Sequence, residues 1–138
     1  MSRGGAAVLA AAVLASGCGD SARPREVKAR LASPPGCVVK VFFASRVVSG
    51  REATRAQIAA VRRRLAASSK VRTYAYVSKH LGFRRLKRRH PEIVFGVTAA
   101  VLPVVYEIVP RSAKDARPLA ADLRHAHGVD EVRASRAC

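Results

Sequence analysis

Residues 54–77 read TRAQIAAVRRRLAASSKVRTYAYV, and the period of their apolar residues changes partway along. Ile58, Val61 and Leu65 recur at helical spacing and form one stripe, with Arg62, Arg63 and Arg64 around the rest of the turn. Thr54, with Gln57 three places on, makes a capping box, in which the two side chains satisfy amides that a helix start leaves free. The helix is expected to end near Ala67, and Ser68-Ser69-Lys70 turn the chain into a strand over residues 71–77. Regular alternation puts Val71, Thr73, Ala75 and Val77 on one face, and Arg72, Tyr74 and Tyr76 on the other. Upstream, residues 37–44 (CVVKVFFA) are β-branched and aromatic, a strand whose continuous apolar character suits the middle of a sheet. Together these segments make a β-α-β unit.

A second unit lies downstream. Ser78 can cap a helix over roughly 79–89, which Pro91 stops; its apolar residues Leu81, Phe83 and Leu86 sit among Arg84, Arg85, Lys87, Arg88 and Arg89. Residues 93–102 (IVFGVTAAVL) are apolar, broken by Gly96, and fit either helix or strand. A strand follows Pro103 over residues 104–109. A helix then starts near Ser112 or Asp115 and carries Leu119 and Leu123, Gly128 caps it, and residues 129–134 form the last strand. The order β-α-β, helical insertion, β-α-β predicts an α+β fold, a ferredoxin-like split β-α-β sandwich. It has an antiparallel four-stranded sheet, two helices on one face and a small helical lobe at 79–101.

The beginning of the chain reads differently. Residues 6–15 (AAVLAAAVLA) are an apolar run behind Arg3, too short to span a bilayer, where roughly 20 residues are needed, and the right length for a signal-peptide core. Ala15, Ser16 and Gly17 lead into Cys18, and the stretch resembles the lipobox of bacterial lipoproteins, in which the cysteine is acylated and becomes the first mature residue. An ordinary cleaved signal with a chance cysteine, or a buried helix, are the alternatives. The expected domains are therefore a signal peptide at 1–17, a lipid-anchored tether at 18–36 rich in Pro, Gly, Ser and charge, and a folded domain at 37–138. That places the chain on the outer face of the cytoplasmic membrane.

The cysteines bear on this. In a ferredoxin-like sheet the last strand lies antiparallel beside the first, so Cys37, opening the first strand, meets Cys138, closing the chain. With Cys18 acylated these are the two thiols left, and a Cys37–Cys138 disulfide is expected in an oxidising compartment; a frayed tail with a free thiol is the alternative.

The net charge of +17 falls to +16 once residues 1–17, whose one charged side chain is Arg3, are removed. Few aromatics are present to stack on bases, and nucleic acid is not expected outside the membrane. Anionic lipid or cell-wall polymer is the expected long-range attractor, beside a basic surface without a specific partner. No chemistry is legible. His125 and His127 are two apart and diverge on a helix end, unlike an i, i+4 metal pair, and His80 and His90 stand alone. Glu52, Glu92, Glu107, Asp115 and Asp122 are scattered, so neither catalysis nor a cofactor or metal is expected.

Five segments, VFFA (41–44), ATRAQIAAVRRRL (53–65), VRTYAYVSKHLGFRRLKRRHPEI (71–93), LPVVYEIVP (102–110) and HGVDEV (127–132), resemble in order and spacing the extracellular domain of the bacterial cell-division protein FtsX. This sequence departs from the family pattern at Val104-Val105, where a small Ala-Ser pair is usual, and at Leu81-Gly82, where an alanine is usual. The family's permease has membrane spans on both sides of this domain; no second apolar segment here reaches that length, so coupling to an intracellular ATPase is not carried over. The resemblance implies a non-enzymatic docking surface for peptidoglycan hydrolases or their coiled-coil regulators, on the lobe at Leu81, Phe83, Leu86, Ile93, Val94 and Phe95. On physical grounds Phe83 and Phe95, rimmed by arginines, would form an apolar patch of the kind that marks an interaction site. The alternatives are that both pack the lobe against itself, or that the chain binds anionic lipid or polymer through its basic surface.

Overall fold

Residues 22–138 are described by a computed structural model. In chain order its elements are β1 (Arg25–Glu26), β2 (Val39–Phe43), the single-turn α1 (Arg46–Ser49), α2 (Arg55–Ala67), β3 (Val71–Val77), α3 (Lys79–Arg89), β4 (Val105–Pro110), α4 (Ala116–Arg124) and β5 (Val129–Ala134). Single 3-10 turns occupy Pro91–Ile93, Ala99–Val101 and Ala113–Asp115. The expected signal peptide at 1–17 and the expected lipidation at Cys18 lie outside the described residues.

The caps form as the residue types dictate. Thr54 Oγ1 accepts from the Gln57 amide while Gln57 Oε1 accepts from the Thr54 amide, and Ser78 Oγ accepts from the Leu81 amide at the start of α3. Gly128 follows α4 at φ 83°, where an added Cβ would stand 2.7 Å from Gln57 Oε1; its turn is therefore packed onto the α2 cap.

The strands lie in the order β1-β3-β4-β2-β5, with β2 antiparallel to both β4 and β5, and β3 antiparallel to β4. Its four long strands have the ferredoxin-like arrangement. Cys37 and Cys138, at adjoining ends of β2 and β5, are joined by a disulfide. One face of the sheet buries Val39, Val41, Phe43, Tyr106, Ile108 and Val132 against Val61 and Leu65 of α2 and Leu119 and Leu123 of α4. Tyr106 sits at its centre, edge-on to Phe43, Tyr74 and Tyr76 with ring centroids 5.6–6.0 Å apart.

Two expectations are corrected. The sheet has five strands rather than four: Arg25 and Glu26, within the stretch read as tether, pair in parallel with Thr73 and Tyr74, and the Val27 amide donates to the Tyr74 carbonyl. Both side chains are exposed, so backbone hydrogen bonds, with one surface ion pair from Glu26 to Arg62, define this strand and no side-chain pattern announces it. The alternation in β3 is also broken. Its register against β4 slips between Val71 and Thr73, a bulge that turns Val71 onto the same face as Tyr74 and leaves both in the core.

Candidate functional site

The second face of the sheet carries a carboxylate. Glu107, in the middle of β4, is 2% exposed, and alternation turns it away from the Tyr106 and Ile108 core. Two parts of the chain converge on it. From α3, Arg85 donates to both of its oxygens, from Nη1 at 2.7 Å and from Nη2 at 3.0 Å. The segment between β1 and β2 supplies Ser33, whose hydroxyl donates to Glu107 at 3.0 Å. Lys40 of β2 adds an ion pair at 3.2 Å. Burial pushes the Glu107 carboxyl up, but the Arg85 hydrogen bonds and charge, then Lys40 and Ser33, outweigh burial and hold it below the ordinary carboxylate range. Arg85 spends its remaining donors on the Arg30 and Ala32 carbonyls. One guanidinium thus ties three things together: the lobe helix, the sheet and the strap at residues 27–35. Sequence reading placed Arg85 among the basic residues around the apolar positions of its helix and Glu107 among scattered acids, because what pairs them is a fold contact 22 residues apart in sequence.

The lobe candidates separate by burial. Leu81 is buried, while Phe83, Leu86 and Val94 are half-buried, so these four mainly pack the lobe. A Cβ at Gly82 would lie 3.7 Å from Leu102 Cδ1, an ordinary contact, so the fold leaves room there for an alanine. Ile93 is 54% exposed and Phe95 is 99% exposed. Exposed Arg84, Lys87, Arg88 and Arg89 line the outer side of α3 in the same lobe. Sequence reading missed a second apolar pair, Val47 and Val48 on α1, 66% and 70% exposed. It lies at the end of the sheet from which the lobe leaves, where Lys79 joins Glu52 in an ion pair and donates to the Ala100 carbonyl. The signal available was two valines in a four-residue turn next to Gly50, with no apolar residue three or four places downstream of either.

His80, His90, His125 and His127 are exposed and dispersed, and no group of three metal-binding side chains occurs among the described residues. No helix among them is long and apolar enough to cross a membrane.

A family model for the FtsX extracellular domain matches residues 36–138. The chain belongs to that family. Among solved structures, the FtsX extracellular domain 1 of S. pneumoniae has the same fold, with a TM-score of 0.51 and 18% identity, covering 74% of this chain and 98% of the S. pneumoniae chain. No curated protein matches the chain. As an FtsX extracellular domain it is an extracytoplasmic module of the cell-division machinery.

Proposed function

We propose that this FtsX-type domain is a non-enzymatic binding module, tied to the outer face of the cytoplasmic membrane through Cys18, that docks a peptidoglycan hydrolase or its coiled-coil regulator. The observation that carries this is Phe95, whose whole side chain stands in solvent on a lobe braced from beneath by Arg85 and Glu107. An aromatic ring left unburied on a rigid support gives a partner helix a ready anchor, and such anchors dominate binding energy in protein interfaces. Ile93 extends the surface, and Val47 and Val48 add apolar area at the same end of the sheet. The S. pneumoniae domain was solved in complex with undecyl-maltoside, an amphiphile, which agrees with a fold that offers apolar surface.

Binding of anionic polymer through the +17 charge is the competing reading. Ionic strength separates the two, since docking on Phe95 survives raised salt whereas polymer binding falls steeply. The decisive experiment is crosslinking and capture from intact cells with wild type and Ile93→Asp/Phe95→Asp. Phe83 is left unchanged because it is half-buried and its substitution would disturb the lobe itself. Loss of cell-wall hydrolases or their regulators from the variant supports the proposal, and equal recovery refutes it.

A further inference from the structure

The lobe leaves the sheet after Val77 and returns before Val105, residues that pair with each other. At the other end of the same two strands, Val71 pairs with Pro110. There an open groove of about 740 Å³ is lined by Arg23, Arg63 and Arg111, by Ser68 and Ser69, and by small or apolar residues such as Ala22 and Ala66; no acidic side chain lines it. Arg111 donates to the Ala22 carbonyl and so fixes where the chain enters the fold, and an ion pair of 3.8 Å between Arg62 and Glu26 holds the next residues against α2.

We infer that this groove seats the phosphate of an anionic phospholipid headgroup, so that this end of the sheet faces the bilayer and the lobe faces away. Two observations select that occupant. The first is charge complementarity: three guanidiniums around a groove without acids match phosphate, which arginine binds through paired N–H groups. The second is reach. Ala22 is four residues after Cys18, and four residues span at most about 14 Å, so an acyl anchor at Cys18 keeps the groove within headgroup range. The second point rests on the anchored reading above. The seven residues of β3 then separate the groove from the base of the lobe by roughly 20 Å, which keeps Phe95 free for a partner in the wall.

The test uses the full chain carrying Cys18→Ser, so that no acyl chain contributes, and vesicles of phosphatidylcholine with or without phosphatidylglycerol. Arg23→Glu/Arg63→Glu/Arg111→Glu is compared with the charge-matched Arg84→Glu/Arg88→Glu/Arg89→Glu on α3. Each near-surface arginine contributes about fivefold, so the groove variant is expected to lose on the order of 100-fold in affinity for phosphatidylglycerol vesicles, and the α3 variant much less. Equal losses, or equal binding of wild type to both vesicle types, overturn the proposal. Circular dichroism reports whether each variant is folded; should Arg111→Glu release the strap, Arg23→Gln/Arg63→Gln with Arg111 intact must still lose on the order of tenfold. Anchoring is judged separately from the mass of the wild-type chain taken from membranes: a Cys18 without acyl groups removes the anchored reading while the vesicle result stands.

Discussion

Glu107 is where residue-level chemistry decides most. Its folded-state pKa is depressed, so the stability it contributes is fully present above the unfolded-state value of 4.5 and is lost as pH falls through the lower folded value. Glu107→Gln should therefore flatten the acid limb of stability against pH, measured by urea melts from neutral pH downward; an unchanged acid limb would contradict the assignment. Tyr106 acts at the other extreme. Burial raises its phenol from 10.0 to about 12, so the stability it contributes is present below 10.0 and is lost as pH rises between the two values. Tyr106→Phe should remove that alkaline loss. Removing Arg85 leaves the buried Glu107 with Lys40 and Ser33 alone, and removing Glu107 leaves a buried Arg85 without its carboxylate. Arg85→Met or Glu107→Leu alone should therefore each cost about 3–5 kcal/mol, whereas the double variant should cost less than their sum. Additive losses in that cycle would mean that the two side chains do not act as a pair.

At the scale of elements, the lobe should be stable on its base and indifferent at its tip. Ser78→Ala removes the N-cap of α3 and should cost about 1 kcal/mol in denaturant melts. Ile93→Asp/Phe95→Asp changes only solvated side chains and should stay within about 0.5 kcal/mol of wild type. Elements that carry their own chemistry were readable from the sequence. α2 announced itself through Thr54, Gln57 and the Ile58-Val61-Leu65 stripe, and α3 through Ser78 and Pro91. Elements defined by other parts of the fold were not. β1 exists only because β3 offers its edge, the bulge after Val71 appears only in the pairing with β4, and the stretch after Pro91 folds as two short 3-10 turns that have no period to detect. The candidate site divides the same way. That the lobe carries a run of apolar residues was legible, but which of them face solvent was not, since Leu81 and Phe95 look equally apolar in a sequence and differ only in what covers them.

For the whole molecule, the pairing of the first and last long strands is the organising feature. The Cys37–Cys138 bond closes a loop of 101 residues and joins the first long strand to the last. Replacing both cysteines by serine should cost about 2–5 kcal/mol, read as a lower thermal midpoint, with the sheet otherwise retained. The order of strands was legible because two β-α-β units leave few ways to pair, and that order brought the two thiols together. The second face of the sheet was not legible, because covering it takes a strap and a lobe helix that are joined through Arg85 and Glu107. A braced lobe with an uncovered Phe95 at one end of the sheet is the property on which the proposed function depends. The most direct measurement places a photo-reactive phenylalanine analogue at position 95 in intact cells and identifies what it captures on irradiation. The account predicts a covalent adduct with a cell-wall hydrolase or its regulator, absent when the same analogue replaces Arg117 on the outer side of α4; adducts with lipid alone, or the same captures from both positions, would contradict it.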